Sequence, residues 1–149
     1  MSNVIEIRGL DELIKRMRAY PAELKKGMEI TMEAAMLTLW ENVPPYPSPP
    51  ENSTYVRTGT LGRTLGGGME GGKGGGEPDI YVVREFGAGY EGRFGTNLEY
   101  APYVIGDDTQ AAHMGHWWKI GVIAGKSADK INRMFANLGE KMAAFLEGR

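Results

Sequence analysis

Two segments rich in proline and glycine limit where this chain can form helices and strands. Residues 43–54 hold five of the eight prolines in a chain of 149 residues. Proline at this density excludes a helix or a central strand, so we predict a stiff, extended linker. Residues 66–76 contain eight glycines in eleven positions. Because ordering such a segment costs much conformational entropy, we predict a mobile loop that becomes ordered against a partner.

Apolar side chains recur at helical spacing on both sides of these segments. Between residues 22 and 42 the pattern predicts one helix of about twenty residues, and a shorter pattern before Pro21 predicts another. A final helix is predicted over residues 127–146. The apolar face of that final helix consists of six side chains, those of Ile131, Met134, Phe135, Leu138, Met142 and Phe145.

The strand candidates are short and rich in β-branched and aromatic side chains. They are residues 4–7, 80–83, 93–96 and 103–105. The segment from residue 117 to 123 could be a last strand or an irregular apolar stretch. The order of strand, helices, strands and helix indicates a single α+β domain over residues 1–149. We expect an antiparallel sheet with a long N-terminal helix and a C-terminal helix packed on one face.

The composition argues against several classes of function. The 17 basic and 19 acidic residues give a net charge of −2, so there is no electrostatic reason to expect a nucleic-acid partner. The absence of cysteine excludes disulfide bonds and thiolate metal sites. The N-terminus lacks the apolar core of a signal peptide, and no apolar run approaches the about eighteen residues of a membrane span. We therefore expect that the protein does not associate with a membrane. We expect it to be assembled in a reducing cytoplasm.

Two glycine patterns come close to nucleotide-binding motifs. Gly67, Gly72 and Lys73 have the spacing of a phosphate-binding loop, but Gly74 stands where that loop needs Ser or Thr for magnesium. Residues 87–92 match a dinucleotide-binding pattern, yet that pattern must open a helix. The residues that follow have strand and turn character, which predicts a glycine-bearing hairpin or bulge instead.

Both histidines lie in one segment, with two aspartates shortly before them. His113, His116, Asp107 and Asp108 could bind zinc or serve a small enzyme, although the spacing of two histidines alone is weak evidence. The chain has no third histidine to complete a common catalytic zinc site. The alternative is that the histidines form hydrogen bonds near the tryptophans that follow them and fix a turn. We expect no enzymatic activity, no cofactor and no metal.

The methionines of the long helix leave a further alternative open. Met28, Met32 and Met36 could form a groove that binds peptides, because methionine surfaces repack easily. Ordinary core packing produces the same spacing. A cytoplasmic peptide-binding module therefore stands as an alternative beside the small enzyme or metal-binding domain.

Two short signatures fix local backbone geometry rather than a catalytic group. They are Arg57-Thr58-Gly59-Thr60-Leu61-Gly62-Arg63 and Tyr100-Ala101-Pro102-Tyr103-Val104. In the first, Gly59 permits a turn that other residues resist, and Thr58 can cap the residues that follow. Arg57 and Arg63 could pair with carboxylates of a neighbouring subunit or of the same one. In the second, Pro102 in a strand-like segment indicates a sheet edge with room for a strand from another chain.

Together, these signatures resemble those of a phage protein family. Its members are the head–tail joining or tail-completion proteins of phages with long non-contractile tails, often called minor tail components. Residues 9–13 resemble the family's opening helix, residues 22–42 its long helix and residues 95–104 its sheet strand. Gln110, His113 and the tryptophan pair Trp117-Trp118 resemble a further segment found in some members. Residues 105–108 depart from the family, since many members have an acidic residue and then an aromatic–glycine pair there.

The resemblance implies a non-enzymatic structural protein of a phage or prophage virion. It implies a place at the head–tail junction, as a head–tail connector, a tail-completion protein or a tail terminator. The chain would form or join a homo-oligomeric ring with connector and tail-tube proteins, assembled in the cytoplasm of the bacterial host, and could be monomeric in isolation. The expected fold and assembly determinants are Arg57, Thr58, Gly59, Leu61, Arg63, Tyr100, Pro102 and Tyr103.

Overall fold

The chain combines a three-stranded antiparallel sheet with helices, which confirms the α+β class. A computed structural model describes residues 3–7, 22–48, 51–52, 59–68, 75–87, 89–106 and 117–146. The helix predicted before Pro21 lies outside these residues. In chain order the elements are β1 (Val4–Ile7), α1 (Ala22–Glu41), α2 (Thr60–Arg63), β2 (Ile80–Phe86), β3 (Gly89–Gly95), a 3-10 helix (Ala101–Tyr103) and α3 (Ile120–Leu146).

Strand β3 is the centre of the sheet, with β1 and β2 paired antiparallel on either side of it. Phe94 lies opposite Ile5 in β1 and opposite Tyr81 in β2. Because side chains alternate across a sheet, these three residues share one face with Gly92. Strands β2 and β3 are joined by a tight turn in which Gly87 has φ +58°, a conformation that glycine adopts without strain. The hairpin predicted from the glycine pattern is therefore confirmed.

Helix α1 comes close to β3 because the strand carries a glycine at the point of contact. A Cβ atom on Gly92 would lie 2.7 Å from the sulfur of Met36 and 3.0 Å from the sulfur of Met32. Met28 is buried as well, beside Leu138 of α3. These three methionines are core residues, so they do not line a surface groove for peptides.

Helix α3 packs along α1 and carries a buried polar contact that the sequence did not indicate. Ser127 is fully buried and donates a hydrogen bond from Oγ to the carbonyl oxygen of Thr38, at 3.4 Å. The side-chain amide of Asn42 donates to the same Oγ at 3.2 Å. These bonds satisfy a buried hydroxyl, and they join the C-terminal end of α1 to the first half of α3.

The C-terminal helix is confirmed, but it begins at Ile120 rather than at residue 127. The amide of Ile120 donates to the carbonyl oxygen of Ile105 at 2.9 Å. Ile120 and Ile123 are both buried in the main core, so the apolar face of the helix extends one turn or more towards the N-terminus. The possible strand at residues 117–123 is therefore wrong, because most of that segment is helix.

The strand predicted at residues 103–105 is also wrong. The segment forms a 3-10 helix over Ala101–Tyr103, followed by a turn. The fixed φ of Pro102 suits the first turn of a helix, where its missing N–H is not needed. The amides of Val104 and Ile105 both donate to the carbonyl oxygen of Ala101, at 3.1 and 2.9 Å. Pro102 therefore does not mark a sheet edge open to another chain.

Candidate functional site

The first signature is built around the ring of Tyr46, a buried residue of the proline-rich segment. Gly59 precedes α2 with φ +71°, which confirms the predicted glycine turn. A Cβ atom on Gly59 would lie 2.8 Å from the hydroxyl oxygen of Tyr46, and one on Gly62 would overlap the ring itself. Both glycines therefore leave the space that the tyrosine fills. Arg57 and Thr58 lie outside the described residues.

Leu61 and Arg63 of this signature point in opposite directions. Leu61 is buried in the main core, together with Leu65 shortly after it. Arg63 ends α2 with its side chain exposed, and it forms no ion pair within the described part of the chain. Leu61 thus holds α2 in place, while Arg63 is exposed at its end.

The described ends of the glycine-rich segment are held by specific contacts. The indole N–H of Trp40 donates to the carbonyl oxygen of Gly66 at 3.0 Å. Leu65 and Pro78 form an isolated antiparallel bridge, and the amide of Asp79 donates to the carbonyl oxygen of Thr64 at 2.8 Å. The segment therefore leaves and re-enters the fold at one fixed point. Residues 69–74 lie outside the described residues, and the mobility of the loop stays a prediction.

The second signature has two buried residues, Ala101 and Val104, and two exposed tyrosines. Ala101 is fully buried in the same core cluster as Leu61. Tyr100 is 46% exposed and Tyr103 is 45% exposed, although tyrosine usually places much of its ring against other apolar groups. The two signatures thus meet through the core, and the second adds two aromatic side chains to the surface.

Strands β2 and β3 carry a charged pair that the sequence did not indicate, in which the carboxylate is buried and the arginine is 52% exposed. The carboxylate of Glu91 is fully buried, and its Oε2 accepts hydrogen bonds from Nε and Nη2 of Arg84, at 2.7 and 2.6 Å. A buried carboxylate requires such a partner, because an unpaired charge in the interior is costly. The only available signal was a glutamate in a strand with glycine as the next residue, which does not distinguish buried from exposed positions.

An apolar groove runs between α1 and the outer side of β2. It is open to solvent, has a volume of about 570 Å³ and is lined by Ile30, Glu33, Ala34, Leu37, Tyr81 and Val83. Burial of the phenol raises the pKa of Tyr81, and the nearby carboxylates of Glu33 and Glu41 raise it further. Glu33 is the one charged residue of this lining, whereas small-molecule sites usually bring several polar groups together. The groove is therefore better suited to apolar packing than to catalysis or to binding a polar small molecule.

Metal binding finds no support among the residues that the structure describes. Within them, no group of three or more His, Asp or Glu side chains could hold a metal ion. The proposed ligands His113, His116, Asp107 and Asp108 lie outside the described residues, so that alternative stays a prediction. In the same described part of the chain, no helix is long and apolar enough to cross a membrane.

Comparison with known proteins assigns the chain to no family. No protein-family model matches it, and no curated protein and no solved structure matches it significantly.

Proposed function

We propose that this chain is a non-enzymatic structural protein of a phage or prophage virion. It would act at the head–tail junction, as a subunit that forms or joins a ring between the connector and the tail tube. The proposal rests on the resemblance of the two signatures to head–tail joining and tail-completion proteins. Its partners would be connector and tail-tube proteins, and it would be assembled in the cytoplasm of the bacterial host.

The observation that supports the proposal is that each signature contains both buried and exposed residues. Gly59 and Leu61 are turned inward, as fold determinants should be. Arg63, Tyr100 and Tyr103 are turned outward. Arginine and tyrosine are the residue types enriched at protein–protein interfaces. Exposed residues of these types beside a rigid turn suit a subunit that docks onto other proteins.

Deleting the gene in the phage or prophage that encodes the chain tests this function. We expect filled heads and separate tails to accumulate after induction, because the junction cannot be completed. Electron microscopy of the lysate would show them, and supplying the intact chain from a plasmid should restore joined, infectious particles. Normal particles from the deletion strain would overturn the proposal.

A plasmid series separates assembly from folding. The variants Arg63→Ala and Tyr103→Ala should fail to restore full infectivity while remaining soluble and folded. An exposed substitution away from both signatures, Lys126→Ala, is the matched control and should restore infectivity fully. If all three variants restore infectivity equally, the signatures do not act at the junction.

A further inference from the structure

Strand β2 lies at the margin of the sheet and presents apolar side chains there. Among the described strands it pairs with β3 alone. Val82 is 42% exposed on one face of the strand, and Tyr81 is 36% exposed on the other, where Ile30 and Leu37 of α1 are exposed beside it. The strand is seven residues long and contains no proline. A strand edge of this kind is a template for pairing with another strand.

We propose that the β2 strands of two copies of this chain pair antiparallel about a two-fold axis at Val83. The two three-stranded sheets would then join into one sheet of six strands. This proposal does not depend on a role in phage assembly, since it uses neither of the two signatures.

The register follows from the identity of the side chains that would lie opposite each other. A two-fold axis perpendicular to the sheet keeps equivalent faces of the two copies on the same side. Because directly opposite residues share a face, the axis must lie between one residue and the same residue of the second copy. With the axis at Val83, all seven residues of β2 are paired, and Val82 lies opposite Arg84 of the other copy. With the axis at Arg84, two arginines would lie directly opposite each other, which is unfavourable. With the axis at Val82, Phe86 would lie opposite Pro78, which has no N–H to donate.

The remaining pairs in this register are complementary. On the face towards α1, Tyr81 lies opposite Glu85 of the second copy, so a phenol donor faces a carboxylate acceptor. On the other face, Ile80 lies opposite Phe86, a pairing of aromatic and β-branched side chains that stabilises sheets. The two Arg84 side chains are diagonal neighbours, but each is already neutralised by its own Glu91, at 2.6 Å. No pair of like charges lies directly opposite.

A second copy also covers the groove beside α1. In an antiparallel pair, Tyr81 and Val83 of the incoming strand face the same side as Tyr81 and Val83 of the first. They would therefore lie under the exposed side chains of Ile30 and Leu37. Because Ile30, Leu37 and Val83 contribute to the lining, covering the groove removes apolar surface from water and favours association. The groove and the strand edge thus fit the same partner.

Cysteine crosslinking tests the axis directly, because the natural chain has no cysteine. In the variant Val83→Cys, the two thiols lie opposite each other across the axis and should form a disulfide-linked dimer on mild oxidation. The matched control is Val82→Cys, whose thiols are diagonal neighbours about 7–8 Å apart and too distant for a disulfide. Equal crosslinking of both variants, or of neither, would overturn the proposed axis.

Charge substitution at Val82 tests the pairing without cysteine. Val82→Lys places a cation opposite Arg84 of the second copy at two symmetric positions, and should raise the Kd of the dimer about tenfold or more. Val82→Glu places a carboxylate there and should leave the dimer as strong or stronger. Within one chain Val82 also lies opposite Arg93, so thermal unfolding of dilute protein must show that both variants remain folded.

The measurement is solution mass by sedimentation across a concentration series. The natural chain should move from 16.3 kDa towards twice that mass, with Val82→Lys displaced to higher concentration and Val82→Glu not displaced. A natural chain that stays monomeric up to about millimolar concentration, where even weak association would show, overturns the proposal. A larger ring that forms without selective crosslinking at Val83 would also overturn it, while supporting the proposed junction role.

Discussion

The described part of the first signature fixes a turn against a buried ring and leaves Arg63 exposed, whereas the second buries Ala101 and Val104 and leaves two tyrosines exposed. The first signature combines a left-handed glycine, a second glycine against a ring and a buried leucine. The second combines buried Ala101 and Val104 with Tyr100 and Tyr103, each almost half exposed. Two motifs that look alike as short, glycine- or proline-bearing sequences thus have different physical roles. The first holds the fold together, and the second shapes its surface.

Gly62→Ala should have the largest effect, because the new methyl group would overlap the ring of Tyr46. Overpacking a tight contact costs about 1–3 kcal/mol and occasionally more, and we expect about 3 kcal/mol or more here. Urea unfolding measures the loss. Gly121→Ala is the matched control, since a Cβ atom on this helical glycine meets nothing within 4 Å. It should stabilise the protein by about 0.5–1 kcal/mol.

A double mutant identifies the ring as the cause. Tyr46→Ala removes the ring atoms that the new methyl group would overlap and keeps only Cβ, at 2.7 Å, although it is itself destabilising. The combined loss of Gly62→Ala and Tyr46→Ala should therefore be smaller than the sum of the two single losses. Strict additivity would mean that the tyrosine does not set the identity of residue 62.

Ala101→Val tests whether the buried part of the second signature contributes to stability. Ala101 is fully buried in the main core, so two added methyl groups should cost about 1–3 kcal/mol of unfolding free energy. Tyr103→Val, two residues along in the same 3-10 helix, should change it by no more than about 0.5 kcal/mol because the side chain is exposed. Similar losses at both positions would erase the contrast between buried and exposed residues.

The double variant Tyr100→Ser with Tyr103→Ser tests whether the exposed tyrosines of the second signature bind a partner. Its unfolding free energy should change by less than about 1 kcal/mol in total. If these rings are interface residues, its binding to connector or tail-tube protein should nevertheless weaken at least tenfold. Calorimetric titration of the folded variant provides the measurement. A large loss of stability without loss of binding would show that these tyrosines stabilise the fold and do not form an interface.

Tyr81 is an intermediate case, since its partly covered ring gives a small dependence of stability on pH. Burial and the carboxylates of Glu33 and Glu41 raise its pKa above 10.0, so the fold favours the neutral phenol. This contribution is fully present below pH 10, the unfolded value, and is lost as the pH rises through the higher value in the fold. Replacing Tyr81 by Phe should make the decline of thermal stability above pH 10 less steep. Parallel curves for the two proteins would contradict this assignment.

The sequence predicted those features that depend on local spacing. The C-terminal helix, the glycine hairpin and the turn at Gly59 each follow from neighbouring residues alone. The α+β class follows from the order of such elements. The partner of Gly59 and Gly62 could not be predicted, because Tyr46 lies in a different segment and only the fold brings it to them.

Long-range contacts also explain the errors. Helix α3 begins early because Ile105, fifteen residues before Ile120, accepts its first hydrogen bond. Residues 103–105 have apolar side chains suited to a strand, yet the bonds to the carbonyl oxygen of Ala101 hold them in a 3-10 helix and a turn. Burial of Glu91 depends on Arg84 across the hairpin. Propensity is a weak guide wherever tertiary contacts of this kind decide the outcome.

Because Met36 packs closely against Gly92, oxidation of its sulfur would report past opening of the core. Met36 is fully buried, so peroxide reaches it only when α1 separates from the sheet. Once oxidised, the sulfoxide is polar and has no space above the glycine, which hinders the return of the helix. In an oxidising environment the fraction of chains with sulfoxide at this residue therefore rises with the time that the core has spent open.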